Sequence, residues 1–484
     1  MVKNYNIIVY LIMRKYIFVL SLIMLIVLSQ TALFSSSWLP ADSSTDSVGA
    51  GDTIDETMGK LETLYRLIDS VFLFDIDYDA VYDSMAKGLF SALGDPYSEY
   101  ITAEESQDIQ DLTQGVYGGI GAYISKPNPS YIDYYDPETY MVTIVAPFLG
   151  SPAYKAGLHA GDLIAEINGV AVDEYTADEA AANLRGEPGT IVKLLVVRGS
   201  VSFTISVERT IVEIPTVRYD VINDIGYLQI LEFTPVTPEK VREALSFFDK
   251  QNYSGIIMDL RNNRGGSVDS AVQIADLFLS LKTVLITESG EGEKSSKYKT
   301  RFGSEVPNEF PLVVLTNGGT ASSSEILAGA LRDNDRAILI GETTFGKGLI
   351  QNVYDFIEGD KIKITSAQYL TPDGHNIHKI GIVPDIEDIG PELSETELDS
   401  FVQLQEEKHI KLFVETQTAF SDSEVNKYIS ELQADGIDVD QRLLRKLIRN
   451  EFENTMDFPP IYDLEYDNVL RRTLEYLKTG EYKL

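Results

Sequence analysis

PLVVLTNGGTASSSEILAGALRDNDRAILIGETTFGKGLIQ, residues Pro311 to Gln351, sets the architecture of this chain. The apolar run Leu312 to Leu315, with Thr316, reads as a buried strand. Asn317-Gly318-Gly319 is a tight turn, where glycine supplies backbone angles that other residues resist. Ile326, Leu327, Ala330 and Leu331 then recur at helical spacing. Small hydroxyl residues, Thr320 and Ser322 to Ser324, therefore sit where a strand turns into a helix N-terminus. Free backbone N–H groups there can hold an oxyanion, so the place suits a nucleophile. A second apolar strand, Ala337 to Ile340, leads into Gly341-Glu-Thr-Thr-Phe-Gly-Lys347-Gly348. A lysine between glycines after a buried strand is a candidate base.

Upstream, GIIMDLRNNRGGSVDSAVQIADLFL (Gly255 to Leu279) repeats the strand–turn–helix plan, with Gly265 and Gly266 in the turn. Earlier still come YGGIGAYI (Tyr117 to Ile124) and APFLGSPAYKAGLHAGDLIAEINGVAV (Ala146 to Val172). A helix bearing Ala177, Ala181 and Leu184 follows, then LRGEPGT and two alternating strands. The glycines at 118, 119 and 121 leave backbone N–H groups free for a terminal carboxylate, and a strand from Ala122 offers an edge to which a peptide adds.

Taken together, these segments resemble the carboxyl-terminal processing peptidases, or tail-specific proteases, which carry a serine/lysine dyad and a PDZ domain. The resemblance rests on TASSSE ending at Glu325, on FGKGLIQ from Phe345 to Gln351, on the Asp259-Leu260-Arg261 segment and on the PDZ-like stretch, and covers residues 56 to 390. It implies Ser322 as nucleophile, Lys347 as base and Gln351 as the group that orients the lysine. It implies oxyanion donors from Gly265 or Gly266 and from Ser323, and a peptide site at Gly118, Gly119, Ile120, Gly121, Ala122 and Arg185. Arg185 is expected to link peptide occupancy to the active site. Ser323 stands where the family often has alanine, so the sequence leaves Ser322, Ser323 and Ser324 open, with the motif favouring Ser322. Arg264 replaces the family's proline in the glycine turn.

The fold class expected is α/β multidomain, a peptidase core of ββα units with an inserted PDZ domain and helical ends. The boundaries read as an anchor or signal over 1–34, a linker over 35–55, helices over 56–112, the PDZ domain over 113–208, the peptidase over 209–392 and a helical region over 393–484. Tyr16 to Phe34 carries no charge and follows Lys3, Arg14 and Lys15. A span of ~20 residues crosses a bilayer, and basic residues stay on the cytoplasmic side. The bulk of the chain is thus expected outside the cytoplasm of a bacterial cell, membrane-anchored or secreted. The C-terminal stripe Leu443, Leu444, Leu447, Ile448 and Phe452 suits either a homodimer contact or packing on the chain's own core.

A net charge of −35, from 40 basic and 75 acidic residues, argues against nucleic acid as a partner. With no cysteine, thiol catalysis, disulfides and thiolate metal sites are excluded. Neither cofactor nor metal is expected: His375 and His378 follow a Pro-Asp-Gly turn rather than sharing a helix face, and His159 reads as a surface-turn residue without a structural role. Three functions are in play: a PDZ-regulated serine endopeptidase cutting near free C-termini, an idle peptide-binding protein of the same fold, and a quality-control protease without tail preference.

Overall fold

The computed structural model describes residues 54–106, 115–127, 132, 136–289, 296–389, 394–417 and 420–481. The charge-free stretch Tyr16 to Phe34 lies outside them. Among the described residues no helix is long and apolar enough to cross a membrane. The chain divides after Tyr78. Before that point stands the helix Ile54–Val71, whose residues are all at least partly exposed.

The later unit holds an α/β core. Its sheet runs in the order Val217–Ile222, Ile225–Ile230, Gly255–Asp259, Leu312–Thr316, Ile338–Gly341 and Ile386–Glu387. The first two strands form an antiparallel hairpin, and every later pairing is parallel. That hairpin and the helix Thr237–Lys250 after it make one ββα unit. Parallel strands need covered faces, and side chains here alternate between two cores. Leu228, Ile230, Ile256, Met258, Val314 and Leu339 join the helices Val268–Phe278 and Ser323–Asp333 on one side. Tyr227, Ile257, Val313, Leu315 and Ile340 meet Leu470 and Leu474 on the other.

Those two leucines belong to the last helix, Asn468–Thr479, so this part of the C-terminal region closes the chain's own core. The stripe containing Leu444, Ile448 and Phe452 packs likewise against Val425, Ile429 and Leu432 of the helix before it. Truncating Leu470 to alanine is expected to destabilise the fold by about 2–5 kcal/mol, read from denaturant unfolding. A helix lying idle on the surface would change it by less than about 0.5 kcal/mol.

A second sheet places the long strand Lys361–Leu370 between Glu99–Ile101 and Thr283–Ser289, with Leu349–Asp355 paired along it. The PDZ-like sheet runs Ala122–Ser125, Val142–Pro147, Leu163–Ile167, Ile191–Arg198 and Val201–Glu208, with helix Ala177–Leu184 packed on its core. Ala122–Ser125 is an edge strand of that sheet.

His159 has a structural role that its surface turn does not suggest. Its Nδ1 lies 2.7 Å from Asp457 Oδ2, and the Ala160 N–H donates to the same carboxylate at 2.8 Å. Tyr154 and Phe458 stack edge to face beside them. Lys408 and Lys411 pair with Asp136 and Glu138. The C-terminal region therefore clasps the PDZ-like module at two places, through contacts roughly 270 to 300 residues apart in sequence that no local pattern encodes.

Candidate active site

The strand Leu312–Thr316 ends and the helix Ser323–Asp333 begins across a sharp turn, and Ser322 sits at its apex. Its φ of 57° and ψ of −118° are strained for a residue with a Cβ. Such strain persists only where the surroundings impose it, and it gathers at functional sites. The Ser322 hydroxyl makes no capping hydrogen bond. Its neighbours differ: Ser323 Oγ donates to the Gly266 carbonyl at 2.8 Å, and Ser324 Oγ donates to the Asn263 carbonyl at 2.9 Å. Both of those residues are fully buried, whereas Ser322 is half-buried. Of the three serines, Ser322 alone presents an uncommitted oxygen.

The glycine turn lies against this apex. Gly265 has φ 103°, and a Cβ on it would come within 2.8 Å of Ser322 Cβ and 3.0 Å of Ser323 N. A Cβ on Gly266 would meet the Phe233 carbonyl at 2.2 Å. Both positions therefore require glycine. The two are not equivalent as oxyanion donors. The Gly265 N–H already donates to Asn263 Oδ1 at 2.9 Å. The N–H groups of Gly266 and Ser323 have no acceptor among the described residues, so the geometry favours that pair.

Glu325 organises the site, a role that the motif around it does not announce. It is fully buried, at the third position of the helix. Its Oε2 accepts from the backbone N–H groups of Ser322 at 2.8 Å and Lys347 at 2.9 Å. Its Oε1 accepts from Gly346 N–H at 2.7 Å and from Thr344 Oγ1 at 2.5 Å. One oxygen thus ties the backbones of the candidate nucleophile and the candidate base together. The Ser-x-x-Glu spacing of a capping box was the available signal, since it brings a carboxylate back to the helix start. Tyr369, buried on the neighbouring strand, donates its hydroxyl to the Ser322 carbonyl at 3.0 Å.

Lys347 is half-buried, and burial depresses its pKa below the ordinary lysine value; Lys363 pushes the same way and Asp95 opposes. Its Nζ stands 4.7 Å from the centre of the Tyr97 ring. Among the described residues no hydrogen bond joins it to Ser322 Oγ. Glu342, the acid nearest in sequence, turns instead toward the Gly318 N–H. Gln351 does not reach the lysine either: it lies opposite Thr365 in the ladder and donates to Thr365 Oγ1 at 3.2 Å. The side-chain direction fixed by the strand pairing overrides the proximity suggested by sequence.

At the PDZ-like module, a cavity of about 200 Å³ lies beside the edge strand, lined by Tyr117, Ile120, Ala122, Phe148, Leu184 and Arg185, among others. Gly118 and Gly119 belong instead to a strand, Val116–Gly119, paired with Thr210–Glu213. Gly121, at φ 75°, lets the chain turn closely past Ser151 into the edge strand. The Arg185 guanidinium lies over the Tyr117 ring at 5.6 Å.

Three family models match the chain. They are peptidase family S41 over residues 224–388, a PDZ domain over 144–198, and the activating protease CtpB N-terminal domain over 27–105. The carboxy-terminal processing protease CtpA of Bacillus subtilis (strain 168) is 34% identical over 373 residues, covering 76% of each chain. A probable CtpA-like serine protease of Staphylococcus aureus (strain COL) is 32% identical over 339 residues, which is 70% of this chain. The chain spans 66% of that relative's length. Among solved structures, the photosystem II D1 C-terminal processing protease is 28% identical, with a TM-score of 0.41, over 69% of this chain and 88% of its own. The chain belongs to the carboxy-terminal processing proteases of peptidase family S41.

Proposed function

We propose that the chain is a serine endopeptidase that cleaves extracytoplasmic proteins near their C-termini, with Ser322 as nucleophile and Lys347 as base. The observation that carries this reading is the single Glu325 oxygen shared by the Ser322 and Lys347 backbones, beside a serine whose hydroxyl alone is uncommitted. Serine needs a base to react, and lysine serves as one only when its ammonium is disfavoured. The half-buried Lys347, with its depressed pKa, meets that need.

In the proposed sequence, neutral Lys347 takes the Ser322 proton as Ser322 Oγ attacks the scissile carbonyl. The N–H groups of Gly266 and Ser323 hold the oxyanion. Protonated Lys347 then gives its proton to the leaving amine, and water, activated by the same amine, releases the acid product and frees Ser322. Gln351 acts at one remove, by fixing Thr365 and the strand beside the lysine. The tail of the substrate would add to the edge strand Ala122–Ser125, with its apolar end in the cavity beside Leu184. The charge-free segment Tyr16 to Phe34, preceded by basic residues, supports a placement on the extracytoplasmic side of the membrane.

Paired substrates with a free and an amidated C-terminus test the tail preference. The free acid is expected to be cut at least about tenfold faster, because a carboxylate recognised by backbone N–H groups loses its charge on amidation. Equal rates would favour the quality-control reading. Arg185→Ala is expected to weaken the response to added tail peptide; an unchanged response would remove Arg185 from the coupling.

A further inference from the structure

Lys347 has one polar-face neighbour that the dyad reading does not use. Its Nζ lies 4.7 Å from the centre of the Tyr97 ring, within the reach of a cation–π attraction. Among the described residues that side chain makes no hydrogen bond and no ion pair. The ring is therefore its nearest assigned partner, and it is not the partner that the reaction requires.

The turn bearing Tyr97 is firmly built. Asp95 Oδ1 accepts from the Tyr97 N–H at 3.1 Å, and Asp95 Oδ2 accepts from Ser98 Oγ at 2.6 Å. Ser98 Oγ in turn accepts from the Thr365 N–H at 2.9 Å, on the strand that also takes the Gln351 amide. Directly after it, Glu99–Ile101 pairs with Lys361–Lys363. The same turn lines a cavity of about 820 Å³ through Asp95, Pro96 and Ser98, and Asp178, Ala181 and Arg185 of the PDZ helix and its cap line it as well. Ala181 and Arg185 also line the peptide groove.

We propose that Tyr97 is a positioning residue that holds the Lys347 side chain on its ring, so that the amine must leave the ring to reach the Ser322 hydroxyl. The inference rests on the Ser322/Lys347 reading above. The charged and titratable groups around the lysine are Asp95 and the Tyr97 phenol from the turn and Lys363 from the long strand. Glu325 accepts from its backbone, and His378 lies against Gly348. A ring that favours the ammonium keeps the proton on; removing the ring while keeping apolar bulk should let the proton leave at lower pH.

The test compares wild type, Tyr97→Leu and Tyr97→Phe as full chains, by kcat/KM against pH on a tail-bearing peptide and by the rate of fluorophosphonate labelling at Ser322. Tyr97→Leu is expected to move the acid limb down by about 0.4–0.7 pH unit, a gain of about two- to fivefold on that limb in both readouts. Tyr97→Phe, which keeps the ring, should restore the wild-type limb. If Tyr97→Leu melts early, Tyr97→Met supplies a second ring-free variant. An unmoved limb in a stably folded ring-free variant, or a Phe variant that shifts like Leu, overturns the proposal. A wild-type chain that is neither labelled at Ser322 nor proteolytic would sink the dyad itself, and this inference with it.

Discussion

Replacing Ser322 with alanine should reduce proteolysis by at least about 10³-fold while leaving the melting temperature close to that of wild type. The first half follows from the commitments of the three hydroxyls. Ser323 and Ser324 spend theirs on carbonyls of the glycine turn and are buried, so neither can take over. The second half follows because the Ser322 hydroxyl caps nothing, and alanine meets the same φ of 57° as serine. Lys347→Arg should be nearly as inactive. Arginine keeps the positive charge but does not give up its proton, so it separates a base from a merely electrostatic cation. Substantial activity in Lys347→Arg, measured over a range of pH, would remove the lysine from proton transfer. For wild type the activity should climb as pH rises through the depressed Lys347 pKa, because only the neutral amine can accept the serine proton.

Glu325→Gln should cost about 10²–10³-fold in kcat/KM and lower the melting temperature as well. The carboxylate accepts four hydrogen bonds, and all four partners are donors. Thr344 Oγ1 also accepts from the Ile382 N–H at 2.7 Å, which leaves its proton for the carboxylate. A glutamine has one accepting oxygen and one donating nitrogen. Whichever way it turns, an NH₂ group faces two donors in a site without access to water. Each buried donor left without an acceptor costs about 1–3 kcal/mol. The loop carrying Lys347 and the strained Ser322 turn would then separate, and a small misplacement is enough for such losses. The two substitutions differ in signature: Ser322→Ala removes chemistry from an intact fold, whereas Glu325→Gln loosens the fold at the place where chemistry occurs. An active and stable Glu325→Gln would show that the shared oxygen is dispensable.

Much of the fold was legible because its signals are local. Fully apolar runs such as Leu312 to Leu315 and Ile256 to Met258, each short and followed by glycines and then a helical stripe, read as strands covered on both faces. The two glycine-rich turns, one before Val268 and one before Ser323, were readable for the same reason. The roles that remained hidden depend on partners far along the chain. His159 meets Asp457, Tyr97 meets Lys347, and Gln351 is turned to Thr365 by a ladder. None of these pairings leaves a trace in the spacing of residues.

The sequence by itself determined the sites of strand, turn and helix around residues 255–351 and the family to which the motifs belong. Tertiary structure decided which of three adjacent serines keeps a free hydroxyl, which glycine N–H remains unclaimed, and which acid faces the lysine. Local propensity fixes where a backbone bends, because it depends on neighbours in the chain. A hydroxyl, an amide or a carboxylate commits to whichever partner the packed fold brings within about 3 Å, and that choice is made across the whole chain.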